Sequence, residues 1–87
     1  MSLKIYEGTE LQIKYLRKQF TDKSITVSMT KGIIKVIKKV NIFEIDEMAE
    51  IDFNEKTIRV YDRGITERIK SFAKQFKYRS LTKDYRN

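Results

Sequence analysis

Gly32-Ile33-Ile34-Lys35-Val36-Ile37-Lys38-Lys39-Val40 is the stretch on which the fold turns, because it satisfies two periodicities at once. Ile33, Val36, Ile37 and Val40 recur at helical spacing, whereas isoleucines and valines set beside lysines suit a twisted edge strand. On a strand, Lys35 and Lys39 share a face with Ile33 and Ile37, a mixture that favours an edge; on a helix, Lys35, Lys38 and Lys39 share one polar face. Both geometries expose the lysines, and the sequence leaves strand and helix open here.

The flanks are easier to read. Upstream, Ile25, Val27 and Met29 alternate with Thr26, Ser28 and Thr30, which predicts a half-buried strand over 25–30 that stops at Lys31-Gly32. Further back, Thr9-Glu10-Leu11-Gln12 has the capping-box pattern and predicts a helix over 9–21, with Ile13, Leu16 and Phe20 on its core face. Leu11 and Tyr15 fall on another face, so that helix has two apolar contacts or the alternation Leu11, Ile13, Tyr15 belongs to a strand. Downstream, residues 49–53 and 57–61 joined by Asn54-Glu55-Lys56 predict a hairpin, with Ile51 and Phe53 facing inward on one arm and Ile58 and Val60 on the other. Asp62 is placed to cap a last helix over 63–77, in which Ile65, Ile69, Phe72 and Phe76 form an apolar stripe.

These elements add up to an α+β fold: an N-terminal helix, a small antiparallel sheet built from hairpin 49–61 and strand 25–30, and a C-terminal amphipathic helix 63–77. Residues 1–77 form one domain and 78–87 a basic Tyr/Arg tail. By element count alone, a small five-stranded barrel of the Sm-like or SH3-like type with flanking helices is the alternative. An internal echo bears on the ambiguous stretch. Lys23-Ser24-Ile25-Thr26-Val27 is similar to Lys56-Thr57-Ile58-Arg59-Val60, and Gly32-Ile33, Ile37-Lys38 and Val40 match Gly64-Ile65, Ile69-Lys70 and Phe72. A true repeat would make residues 32–40 a third helix; chance similarity in an Ile- and Lys-rich chain is the competing explanation.

Composition excludes more than it identifies. The 87 residues include no His and no Cys, which removes Ser-His and Cys-His nucleophiles, an imidazole base, zinc sites with N or S ligands, and disulfides. No apolar run approaches a membrane span and the first seven residues lack a signal-peptide core, so no membrane association and a cytoplasmic location are expected. The net charge of +7 hides a segregation. Residues 1–43 carry +6, residues 44–55 carry −6 and residues 56–87 carry +7. The acidic island Glu44, Asp46, Glu47, Glu50, Asp52 and Glu55 either pairs with the basic arms or lies away from a positive face and orients it toward a polyanion. Glu50 and Asp52 could share one face of a strand and hold Mg²⁺, but no further ligand motif accompanies them. The chain reads as non-enzymatic, with no cofactor and no metal.

Residues 56–80 resemble the strand and first helix of ribbon-helix-helix repressors. The resemblance implies strands of two subunits paired in the major groove, with Thr57, Arg59 and Tyr61 reading bases. The chain departs from that family in two respects: a second helix would have to fit between Ser80 and Asn87, and the hairpin before Lys56 has no place in it. No diagnostic motif supports the resemblance, and it is not adopted.

Binding is therefore expected to rest on charge. Lys70, Lys74 and Lys77 lie along one edge of the last helix, and Tyr78-Arg79 and Tyr85-Arg86 place phosphate-gripping and base-stacking types together. With Arg59 and Tyr61 on the sheet, these nine residues are the candidate nucleic-acid-binding set for DNA or RNA, in a chain small enough to gain from homodimer or higher homo-oligomer formation. A protein-protein interaction module, such as an inhibitor or adaptor of viral or mobile-element origin, is the alternative.

Overall fold

The ambiguous stretch is extended. A computed structural model, which describes residues 2–86 and side chains from Gly8 onward, places it in the second of five strands. The elements are α1 (Ser2–Gln19), β1 (Ile25–Thr30), β2 (Ile33–Asn41), β3 (Glu44–Asp52), β4 (Thr57–Val60), a 3₁₀ turn (Arg63–Ile65) leading into α2 (Thr66–Gln75), and β5 (Ser80–Lys83). The sheet order is β1-β2-β3-β4-β5; the first four strands form an antiparallel meander, and α2 carries the chain back so that β5 pairs parallel with β4. The sheet is open and mixed, with β1 and β5 at its edges, so neither a closed barrel nor a purely antiparallel sheet forms.

Period-two burial decides β2. Ile34 and Val36 are fully buried, while Ile33, Lys35 and Ile37 take the other face. Across the sheet, Val27, Val36, Ala49 and Val60 stand in one registered row, and Met29, Ile34, Ile51, Ile58 and Leu81 in the next. Both rows face the helices, and Leu16, Phe20, Ile65, Ile69 and Phe72 complete one core with them. A bulge skips Met48 between the pairs Val36–Ala49 and Ile37–Glu47. The Met48 carbonyl then accepts the N–H groups of Tyr61 and Asp62 at 2.8 and 3.2 Å, which draws the chain off the sheet after β4.

The turns account for the unusual backbone positions. Lys31 and Gly32 both have positive φ, as a two-residue hairpin turn requires between strands of right-handed twist. At Gly32 a Cβ would come within 2.6 Å of the Asn54 amide nitrogen, so shape as well as conformation demands glycine. The Asp62 carboxylate accepts from Gly64 N at 2.7 Å, the cap expected there. At the other end of α2, Lys77 takes the left-handed conformation and Tyr78 N donates to Ala73 O at 2.9 Å, closing the helix without a glycine.

Several expectations are corrected. α1 begins at Ser2, so Thr9 and Gln12 lie inside it and are buried, and their capping-box pattern marks no helix start. Tyr15 makes a second contact of that helix, packing on Phe72 of α2 and on Phe76 just past its end, whereas Leu11 stays exposed. The hairpin's first arm runs from Glu44 and its link is residues 53–56. Among the described residues there is no third helix, so the echo does not extend to residues 32–40. Residues 80–83 are a strand of the sheet, paired parallel with β4. β4 is hydrogen-bonded on both sides, by β3 and by β5, which leaves it no edge to offer a second subunit in the ribbon-helix-helix manner.

Candidate nucleic-acid interface

The crossover from β4 through α2 to β5 builds one basic edge. Thr66 Oγ1 and the Tyr85 hydroxyl share a hydrogen bond at 2.8 Å, which ties this side of α2 to the segment after β5. Lys70 and Lys74 follow Thr66 at four and eight residues, so helical geometry carries them along this flank and the adjoining solvent face, and Lys77 stands at the left-handed residue just past the end of the helix. All three are exposed, as are Arg79, just before the neighbouring edge strand, and Lys83 at its end. Lys70 is the partly neutralised member, with its ammonium 3.4 Å from the Glu67 carboxylate.

The edge is rigid because the last residues are pinned along β4. Arg79 N donates to Lys56 O at 2.8 Å, Asp84 N to Val60 O at 2.8 Å and Arg86 N to Tyr61 O at 3.4 Å. Only Lys83 joins the group without having been a candidate, since the strand that displays it is parallel and distant in sequence from its partner.

Aromatic stacking is a different matter. Tyr61 is 6% exposed with the Arg86 guanidinium 3.9 Å from its ring centroid, so its ring is closed to a base, while Arg86 itself lies at the surface. Tyr78 is half-buried against Phe72, its ring is covered by the Lys56 ammonium, and its hydroxyl donates to the buried Gln12 Oε1. Burial first, and the Asp52 carboxylate second, push the Tyr78 hydroxyl well above its ordinary pKa, and it stays protonated. Tyr85 is held by Thr66 and covered by the Arg63 guanidinium at 4.5 Å. Each of these three tyrosines helps to fasten the C-terminal segment to the fold.

Arg59 lies apart from the edge. It projects from the open face of the sheet, in register between Glu50 and Thr82, with Asp52 on the same face. Lys35 bridges that face to the acidic island, 3.5 Å from Glu47 and 4.0 Å from Glu50. Among the described residues no group of three or more acidic, His or Cys side chains is set to hold a metal ion. The acidic residues gather on β3, where Lys35, Lys38 and Arg59 stand in register with them or beside them, and the α2–β5 edge is dominated by lysine and arginine. No helix is long and apolar enough to cross a membrane among the described residues. Comparison with protein-family models, with curated proteins and with solved structures gives no match.

Proposed function

We propose that this chain is a small non-enzymatic nucleic-acid-binding protein that grips the phosphate backbone with its α2–β5 edge. One observation carries the reading: Lys70, Lys74, Lys77, Arg79 and Lys83 are exposed on one pinned edge, while Glu44, Asp46, Glu47, Glu50 and Asp52 belong to a different strand. A polyanion approaching the molecule is drawn to the first region and repelled by the second. With Tyr61, Tyr78 and Tyr85 engaged inside the fold, stacking contributes little, and binding follows charge and shape rather than base sequence.

Titration of protein freed of co-purified nucleic acid against duplex DNA, single-stranded DNA and RNA tests this. About five phosphate contacts predict a loss of roughly 10²–10³-fold in affinity between 50 and 200 mM salt on duplex DNA, with little dependence on sequence. Lys70→Glu with Lys74→Glu should flatten the salt slope by about two contacts while circular dichroism stays unchanged. No binding at low salt would refute the reading. The protein-interaction alternative has its own support in the apolar tip of the β2–β3 hairpin, where Ile42 and Phe43 are 92% and 95% exposed.

A further inference from the structure

The β2–β3 hairpin outruns the sheet that carries it. β1 pairs with β2 only as far as Lys38, and β4 pairs with β3 only from Ala49 onward, so the strand ends beyond them project by about 10 Å at ~3.3 Å per residue. The Asn41 side chain builds the turn, accepting from Phe43 N at 2.8 Å and donating to Glu44 Oε1 at 3.2 Å. The two turn positions, which glycine and polar residues usually hold, carry Ile42 and Phe43, and Val40 and Ile45 behind them are 49% and 61% exposed. These four side chains stand outside the core formed by the described residues.

Charge narrows what could cover them. The arm carries Lys38 and Lys39 on one strand against Glu44, Asp46 and Glu47 on the other, a net negative balance that disfavours an anionic lipid surface and a phosphate backbone alike. An acidic apolar tip calls for an apolar groove with a basic rim, and this chain has one. Leu11, Tyr15 and Phe76 floor a groove of about 330 Å³ between α1 and α2, and Lys14 and Lys18 stand at its sides with Gln75. Leu11 is 61% exposed there, the one large apolar side chain outside the hairpin that is so open among the described residues.

We propose that the hairpin tip of one copy docks into the α1–α2 groove of a second copy, with Phe43 on Leu11, Tyr15 and Phe76, and Glu44 and Asp46 facing Lys14 and Lys18. Tip and groove lie at opposite ends of the molecule. Arg68 at the start of α2 donates to Gln19 O while Phe76 past its end meets Tyr15, so the two helices run antiparallel. α1 ends just before Ile25 pairs with Lys38 near the tip, Gly8 faces Phe53 at the other end of the sheet, and Phe76 precedes Ser80, which pairs with Thr57 there, so the groove lies toward the end away from the tip. Two copies side by side in opposite directions therefore present each tip to the other's groove. Such reciprocal contact doubles the apolar area buried, which a single tip needs in order to approach the ~1,200 Å² of a stable interface.

Sedimentation equilibrium of nucleic-acid-free protein over a hundredfold concentration range reads the association. The wild-type mass should rise to that of a dimer, and Phe43→Ser and Leu11→Ser, both at exposed positions, should each stay monomeric with unchanged circular dichroism. Charge exchange supplies a second variant pair. Lys14→Glu with Lys18→Glu, and Glu44→Lys with Asp46→Lys, should each fail to self-associate, and mixing the two should restore a 1:1 dimer. A wild-type chain that remains monomeric throughout, a dimer that survives Phe43→Ser, or charge-exchanged variants that do not pair would each overturn the proposal, including the case in which the tip is kept for a different protein.

Discussion

Residues 32–40 and residues 64–72 start with Gly-Ile and share an Ile-Lys pair at the same or neighbouring offset, yet one is the second strand of the sheet and the other lies along the last helix. Apolar spacing alone does not separate them. What does is the filling between the apolar positions and the punctuation in front. Residues 33–40 are dense in β-branched Ile and Val, which lose rotamer freedom in a helix and pack well on a pleated surface. The second segment places Glu67, Arg68 and Lys70 on its solvent side and has Asp62 bonded to Gly64 N at its entrance. The same periodicity thus supports either structure until side-chain stiffness and a cap choose one.

The comparison can be broken most sharply in the core. Phe72→Ala should cost about 3–5 kcal/mol and Ile34→Ala about 2–5 kcal/mol, since both side chains are fully buried. Ile37→Ala, on the open face, should cost less than about 1.5 kcal/mol. Urea midpoints rank the three, and a costlier Ile37 than Ile34 would contradict the strand. The two glycines come next. Gly32→Ala should cost roughly 1–3 kcal/mol, because its φ of +80° and the nearby Asn54 amide both resist a side chain. Gly64→Ala should cost much less, as only the Asp62 carboxylate, 3.1 Å away, must yield. Equal effects would show that the β1–β2 turn is not what places residues 33–41 in the sheet.

Smaller effects refine the helical side. Asp62→Ala should lower stability by about 1 kcal/mol through loss of the cap. Tyr78→Phe should cost about 1 kcal/mol for the bond to Gln12 and should also alter the alkaline limb of the stability curve. The folded hydroxyl titrates above its ordinary 10.0, so the unfolded chain ionises first. Its contribution is intact below about pH 10 and is lost as pH rises toward the folded pKa. Wild type should therefore lose stability above that pH more steeply than Tyr78→Phe, and identical limbs would refute the buried hydroxyl's role.

Legibility followed locality. Strand 25–30, the Asp62 cap and the stripe Ile65, Ile69, Phe72 depend on neighbours in sequence, and the structure holds them as the pattern reads. Thr9 and Gln12 mislead because a helix interior and a helix start can carry the same four residues; burial against the body of the protein selects the interior. The candidate binding set divides in the same way. Lys70, Lys74, Lys77 and Arg79 are exposed as helical spacing and a polar terminus imply, whereas Tyr61, Tyr78 and Tyr85 are taken up by Arg86, Gln12 and Thr66, partners up to 66 residues away in sequence. The exposed Ile42 and Phe43 carried one local sign, two large apolar residues directly before an acidic run, and that pattern equally describes a buried strand.

By itself the sequence determined the chemistry the chain lacks, its segregated charge, its α+β class and the faces of its capped last helix, because composition and short-range periodicity are properties of adjacent residues. Only the tertiary structure decided that residues 32–40 are extended, that residues 80–83 close the sheet in parallel, and that the tyrosines are fasteners. Each of these depends on hydrogen bonds or burial contributed by distant segments, and no local pattern encodes which distant segment will arrive.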